Sequence, residues 1–328
     1  MDLQPAPFHA DLAGGPPGGA AYWAQAADGR RIRVGFWPAQ DGAQGGAPGG
    51  GADAARGTVL LFPGRTEYIE KYGDSAAHLA RRGFATLAID WRGQGLSERL
   101  LPDRRLGHVG DFAEYQLDIA AALALLERLE APRPRYLIAH SMGGAIGLRA
   151  LLRGLPVRAC VFTGPMWGIA LSPATRPLAR IFAHGGSALG LGARLMPSTS
   201  AESYVATQDF AGNALTTDPD MYGLMRRQLA ACPDFALGGP TMGWMRAALR
   251  ETAELARHPS PDLPCLTFLG SAEKIVDKAA IRDRMARWPR GTLEEPAGAE
   301  HEVLMEGPAL RERVFDRIAA LFSAPKPG

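Results

Sequence analysis

The run Ala139-His140-Ser141-Met142-Gly143-Gly144 follows directly on the apolar stretch Tyr136 to Ala139 and leads into a helical pattern through Ile146, Leu148 and Leu151. A serine on a strand-to-helix turn of this kind stands with its hydroxyl exposed at the carboxyl end of a sheet, where it can act as a nucleophile. The residues two before and two after it must be small, because neighbouring elements pass close by. Ala139 and Gly143 meet that need, although Gly is usual at the first position and Ala139 adds a methyl. Such a hydroxyl needs a base to take its proton and amide donors to hold the oxyanion formed on the attacked carbonyl. The start of the following helix favours negative charge, and the amide of Met142 points where one donor belongs. The second is expected in the loop after an earlier strand, where the backbone N–H of Arg65 follows Phe62-Pro63-Gly64.

A serine activated in this way needs a histidine and an acid to orient it. The loop after Cys265 to Leu269 reads Gly270-Ser271-Ala272-Glu273-Lys274-Ile275-Val276-Asp277 and offers two carboxylates, Glu273 and Asp277. Base catalysis calls for a group titrating near working pH, about 6.5 for an unperturbed imidazole. His301 qualifies, since it follows a strand expected near Gly291 to Glu295, lies beside the polar Gly298-Ala299-Glu300, and precedes a closing helix. His140, next to the serine but pointing away from it on so tight a turn, is expected to be packed, as are His78 and His108. No His, Asp or Glu cluster has metal-ligand spacing, and no Walker or GxGxxG pattern follows a strand. Neither a metal nor a nucleotide cofactor is expected.

The elements that would hold these groups alternate. Thr58 to Phe62, Ala85 to Ile89, Tyr136 to Ala139 and Ala159 to Phe162 are nearly continuous apolar runs, as strands buried on both faces should be. Helical patterns separate them. In Phe112 to Leu129, Asp111 can cap the start with Glu114 three residues on, and Phe112, Tyr115, Ile119, Leu123 and Leu126 form one apolar face. This alternation means a mainly parallel sheet with helices on both sides. Before it, Ala21 to Gln25 and Arg30 to Trp37 form a hairpin through Asp28-Gly29, expected to supply the positive-φ residues. From Pro165 to Arg257 the alternation stops in favour of helical pieces broken by Pro and Gly, rich in aromatic residues and Met. It returns at Pro264 to Leu269 and ends in a helix near Leu310 to Phe322.

The expected organisation is a flexible Pro- and Gly-rich arm over 1–20, an α/β core over 21–164 and 258–322, a helical insertion over 165–257, and a short tail over 323–328. Residues 40–57 read as a solvated loop. With 328 residues the chain can hold one large α/β domain with such an insertion. Its 46% hydrophobic and 21% charged content is that of a folded globular protein. Lys+Arg 36 against Asp+Glu 34 leaves +2, too little to draw the protein to nucleic acid or to an acidic membrane. Cys160, Cys232 and Cys265, odd in number and without a CxxC, read as reduced and apolar. With no secretion signal or bilayer-length apolar run in the sequence, a cytoplasmic protein is expected.

The chain resembles the monoacylglycerol lipase and lysophospholipase group of α/β-hydrolases over roughly residues 21 to 322. The resemblance rests on Phe62-Pro63-Gly64-Arg65-Thr66-Glu67-Tyr68, Asp90-Trp91-Arg92-Gly93-Gln94-Gly95-Leu96-Ser97, His140-Ser141-Met142-Gly143-Gly144, Gly164-Pro165-Met166-Trp167 and His301-Glu302. Pro63-Gly64 stands where many members carry His-Gly, which leaves the backbone donor available. The resemblance implies an α/β-hydrolase fold and a triad of Ser141, His301 and Glu273, with Glu where most relatives have Asp and Asp277 as the rival acid. It also implies oxyanion amides of Arg65 and Met142, no cofactor, and single-chain lipid ester substrates. The insertion becomes a cap whose aromatics either pack as a small core or line an acyl pocket, and whose outer face touches a membrane. A small-ester esterase or a cofactor-free perhydrolase would use the same triad. Dehalogenases and epoxide hydrolases of this architecture need Asp where this chain has Ser141, and a non-catalytic ligand-binding scaffold predicts a broken triad.

Overall fold

Strands whose residues are apolar at nearly every position must be covered on both faces, and they form the centre of a nine-stranded sheet. The computed structural model describes residues 3–40, 55–172 and 174–325. Most of the solvated loop expected over 40–57, and the end of the tail, lie outside them. The strands are β1 (Gln4–Pro5), β2 (Ala20–Gln25), β3 (Arg31–Trp37), β4 (Gly57–Phe62), β5 (Phe84–Asp90), β6 (Arg135–His140), β7 (Cys160–Thr163), β8 (Cys265–Phe268) and β9 (Gly291–Glu294). They lie side by side as β1-β2-β3-β5-β4-β6-β7-β8-β9. The first three and the β3–β5 pair are antiparallel, and every pair from β5 to β9 is parallel.

Strand order reverses at β4, which has β5 on one side and β6 on the other, opening a crevice outside the carboxyl ends of the strands. Phe62 is paired with Ala139, so β4 and β6 end in step and their following loops leave the same edge side by side. Alternate residues of one strand feed opposite cores. Val59 and Leu61 join α2 (Gly73–Arg81) and α10 (Pro308–Ser323) on one face. Leu60 and Phe62 join α3 (Glu114–Arg128), α4 (Met142–Leu152) and α9 (Lys278–Ala286) on the other. The residues read as a cap bond to each other in the turn before α3, where Glu114 accepts from Asp111 N at 2.9 Å and Asp111 accepts from Ala113 N at 2.9 Å, but the helix starts at Glu114 rather than Phe112, with Ala113 in the cap position.

Between β7 and β8 the chain forms α5 (Thr175–Ala188), α6 (Tyr204–Thr207), α7 (Pro219–Ala231) and α8 (Met242–Leu255). Asp218 caps α7, with Pro219 at the first helical position, and Thr241 caps α8. The aromatics of this insertion divide. Trp167, Tyr222, Phe235 and Trp244 are buried, while Phe182, Tyr204 and Phe210 are exposed.

Two further expectations need correction. In the β2–β3 turn only Gly29 has positive φ, 84°, while Asp28 does not. The segment read as a free arm is instead docked. Gln4 and Pro5 pair with β2, and the short α1 (Ala10–Ala13) ends at Gly14 in the left-handed region. Arg33 Nη1 donates to Pro7 O at 2.9 Å and Gln228 Nε2 to Leu12 O at 2.8 Å. Its Pro and Gly content hides this, because the anchors are mainly backbone carbonyls reached by side chains from distant elements.

Gly73 is where α2 meets that segment, and a Cβ there would stand 1.9 Å from Ala13 O and 2.9 Å from Gly15 N. Gly73→Ala is therefore expected to destabilise the protein by about 1–3 kcal/mol, read from its urea midpoint. A chain beginning at Gly19 should lose most of that penalty; an equal cost in both chains would show that Gly73 is not accommodating the docked segment.

Candidate active site

Ser141 sits between β6 and α4 with φ 51° and ψ −119°. A non-glycine residue held there stores of the order of 1–3 kcal/mol and persists only where its surroundings over-determine it. They do so here. Ser141 N donates to Thr163 O at 3.0 Å, and Ser141 O accepts from the amides of Gly144 and Met166, both at 2.8 Å. The turn also needs empty space. A Cβ on Gly143 would lie 2.1 Å from Phe62 O and 2.6 Å from Pro63 O, both backbone atoms. The extra methyl of Ala139 is accommodated from α4, since a Cβ on Gly147 would stand 3.1 Å from it.

Met142 is the first residue of α4, so its amide has no acceptor within the helix. Across the crevice, Gly64 comes so close that a Cβ on it would be 3.0 Å from Ser141 Cβ. The amides flanking Arg65 are taken: Gly64 N–H donates to the Glu67 carboxylate, and Thr66 N–H to Gln94 Oε1 at 2.9 Å. The N–H of Arg65 has no protein acceptor among the described residues. Its side chain reaches under the insertion, where Nη2 donates to Gly238 O at 2.8 Å and the guanidinium lies 5.1 Å from the Trp244 ring centre. Burial pushes this guanidinium down to about 10, and no carboxylate pairs with it among the described residues.

The β8–α9 loop and the loop before α10 bring Glu273 and His301 together, both buried. His301 Nδ1 donates to Glu273 Oε2 at 2.6 Å, while Oε1 accepts from the amides of Ile275 (2.6 Å) and Val276 (3.2 Å). Burial acts to raise the Glu273 pKa, but the hydrogen bond and charge of His301, with the two amides, hold it below the ordinary 4.5. Asp277 has other work: it accepts from Ala279 N (3.0 Å) and Ala280 N (3.3 Å) as the cap of α9. Ser141 and His301 face one cavity of about 340 Å³, which Arg65 also lines and which Val205, Leu215, Met225 and Leu229 of the insertion complete. No hydrogen bond joins Ser141 to His301 among the described residues, a link that commonly tightens only around substrate.

The same cavity is lined by Glu67, Lys71 and Glu302, which belong to a charged cluster that sequence spacing does not reveal. Lys71 Nζ donates to Glu67 Oε1 at 2.5 Å and to Glu302 Oε1 at 2.6 Å, and Tyr72 OH donates to Glu67 Oε2. His140 is buried as expected, with Nδ1 donating to Thr163 O at 3.0 Å. Its Nε2 stands 3.2 Å from Glu302 and 3.5 Å from Glu67. Burial lowers the His140 pKa, but the carboxylates of Glu302 and Glu67 outweigh it and raise the group above 6.5. For Glu302, burial is overcome by His140 and Lys71, which hold it well below 4.5. Glu67, His140 and Glu302 thus bring metal-ligating atoms within 4.8 Å of one another, although no spacing in the sequence suggested it. The cation between the two carboxylates is the Lys71 ammonium. The only local signal was the i,i+4 pair Glu67 and Lys71.

A largely parallel sheet ending in a strained serine turn, with a carboxylate and an imidazole from later loops, defines an α/β-hydrolase. Solved structures agree. A soluble variant of monoglyceride lipase from Saccharomyces cerevisiae, in complex with a substrate analog, superposes with a TM-score of 0.68 at 20% identity, covering 92% of this chain and 94% of that one. The monoacylglycerol lipase of Paleococcus ferrophilus gives 0.66 at 20% identity, covering 89% and 98%. The family model described as serine aminopeptidase, S33, matches residues 53–308, and the chain belongs to that family. Lysophospholipase L2 of Escherichia coli (strain K12) is 34% identical over 284 residues, 81% of this chain and 80% of the relative.

The packing of Ala139 against Gly147 yields a coupled prediction. Gly147→Ala should cost stability in this chain, whereas Ala139→Gly/Gly147→Ala should recover about 1 kcal/mol beyond additivity, as contacting sites do. Additive denaturation midpoints would show that the two positions do not share this space.

Proposed function

We propose that Ser141, His301 and Glu273 are the nucleophile, acid–base and orienting carboxylate of a lipid ester hydrolase, with the amides of Arg65 and Met142 as oxyanion donors. The observation that carries this reading is the 2.6 Å bond from His301 to Glu273 beside the cavity that His301 shares with Ser141. Glu273 fixes the imidazole with its proton on Nδ1, leaving Nε2 free to take the Ser141 proton as Oγ attacks the ester carbonyl. Negative charge on the carbonyl oxygen then meets the two amides, each such donor contributing about 10²–10³ in turnover. His301 returns the proton to the departing alcohol, and an acyl ester remains on Ser141. Water, deprotonated by His301, releases the fatty acid and restores the serine.

The chain is a carboxylic ester hydrolase, and the substrate class we assign is single-chain lipid esters, lysophospholipids foremost. Supporting this are the match to lysophospholipase L2 over four-fifths of both chains and the apolar residues of the insertion at the cavity, which suit an acyl chain. Residues 165–257 act as a cap. On its outer side Leu178, Ile181 and Phe182 of α5, with Leu189 and Leu191 beyond, are exposed alongside Arg176 and Arg180. No helix among the described residues is long and apolar enough to cross a membrane; an exposed apolar face flanked by cations fits peripheral contact with an anionic bilayer.

Released fatty acid should be measured on lysophospholipids, monoacylglycerols and short esters with matched variants. Ser141→Ala should be inactive, and Glu273→Gln should lose about 10²–10⁴ in kcat. Asp277→Asn should stay within about threefold of the parent while losing roughly 1 kcal/mol of stability with its cap. A collapse in folded Asp277→Asn but not in Glu273→Gln would reverse the choice of acid, and faster turnover of short esters than of long-chain lipids would exclude the lipid assignment. In co-sedimentation with phosphatidylglycerol vesicles, Leu178→Asp/Ile181→Asp should leave the protein in the supernatant; undiminished binding would remove α5 from the contact.

A further inference from the structure

The reaction described above gives no task to Glu67, Lys71, Tyr72, His140 or Glu302, though all five are buried around the site. Each carboxylate or imidazole in this set is tied to a different segment of the catalytic machinery. Glu67 accepts from Gly64 N–H, immediately before the Arg65 amide. His140 directly precedes Ser141. Glu302 directly follows His301, and its own N–H donates to Leu215 O of the insertion at 2.7 Å. Lys71 Nζ joins the two carboxylates at 2.5 and 2.6 Å. His140 donates through Nδ1 to a carbonyl while its Nε2 faces carboxylates, an arrangement that suits the imidazolium. Two cations then balance two anions.

We infer that this cluster is a positioning device that clamps the oxyanion loop, the serine turn and the base loop to one another. The inference rests on the roles proposed for Ser141, His301 and the Arg65 amide. Stability alone is a poor reason for such a cluster, because buried ion pairs can often be exchanged for apolar side chains with little loss, whereas they hold geometry closely. Geometry is what three loops from separate parts of the chain need. Lys71 and Glu302 are 231 residues apart, and a misplacement of about 1 Å can cost about 10² in rate.

The test compares Lys71→Met, Glu302→Gln and the pair Lys71→Met/Glu302→Gln with the parent. It uses kcat, KM, melting temperature and the rate at which a fluorophosphonate labels Ser141, read by intact mass. Each single variant should lose about 10² in kcat, with KM within about threefold, and should label more slowly to a similar degree. The paired variant, neutral again, should regain melting temperature but not kcat, and Lys71→Arg, which keeps both ion pairs, should recover most of the turnover. If Lys71→Met does not fold, the nearly isosteric Glu302→Gln carries the comparison. The inference fails if folded single variants label and turn over like the parent, or if kcat returns together with melting temperature in the pair. A parent that labels at Ser141 but hydrolyses no lipid ester overturns the substrate assignment alone, and the labelling rates still judge the cluster. A parent inert to the probe overturns both.

Discussion

Backbone must pass backbone at the end of β6 with almost nothing between, and the arrangement of the site follows from that closeness. Ser141 holds a positive φ because Thr163, Gly144 and Met166 bond its backbone on both sides. Gly143 can lie against Phe62 O only without a side chain, and Gly64 likewise faces Ser141 Cβ. Because β4 and β6 are adjacent and end in step, the Arg65 and Met142 amides leave the sheet on either side of the serine. Gly164 extends the same constraint to His301, since a Cβ there would lie 3.0 Å from His301 Nδ1 and 3.1 Å from Glu273 Oε2.

The loops around that edge are held by buried charge. Arg33 bonds Asp90 and Glu70, and the Asp90 carboxylate also accepts from the amides of Ile69 and Leu96. Arg92 bonds Asp118, whose pKa burial lifts to about 6 against the pull of that arginine. Both of these cations meet at least one carboxylate, as ions removed from water require. Arg65 and Arg284 have no carboxylate partner among the described residues: Arg65 meets a backbone carbonyl and an aromatic face, and Arg284 the carbonyl of His258 and the hydroxyl of Ser260.

The insertion is unequally attached. Its 213–218 stretch is bonded to the region following His301: Leu215 O accepts from Glu302 N at 2.7 Å, Thr216 Oγ1 donates to Met305 O at 2.7 Å, and Thr217 bonds Glu306. α8 is joined to α4 by Arg149 with Glu251 and Glu254. α5 rests on α8 mainly through the small residues Ala179 and Ala183 and leaves larger apolar side chains outside. One side of the cavity wall is therefore fixed to the loop that carries His301, while the exposed apolar face belongs to α5.

Alternation of apolar runs with helical periodicity, the small residues around Ser141 and the pairing of Asp111 with Glu114 were all legible along the chain. Each is a relation between residues a few positions apart, expressed through backbone preferences and period, so neighbouring residues were enough to determine it. Spacing alone left Glu273 and Asp277 both open, and only the family resemblance favoured Glu273, because both lie in one loop and the fold turns one carboxylate to the imidazole and the other to the start of α9. The docking of residues 4–13 was hidden for a similar reason, as its partners Arg33 and Gln228 belong to elements far along the chain. The cluster of Glu67, Lys71, His140 and Glu302 is the extreme case. Its members lie in three distant segments, and what joins them is that the loops after β4, β6 and β9 leave the same edge of the sheet, which no local pattern of residues encodes.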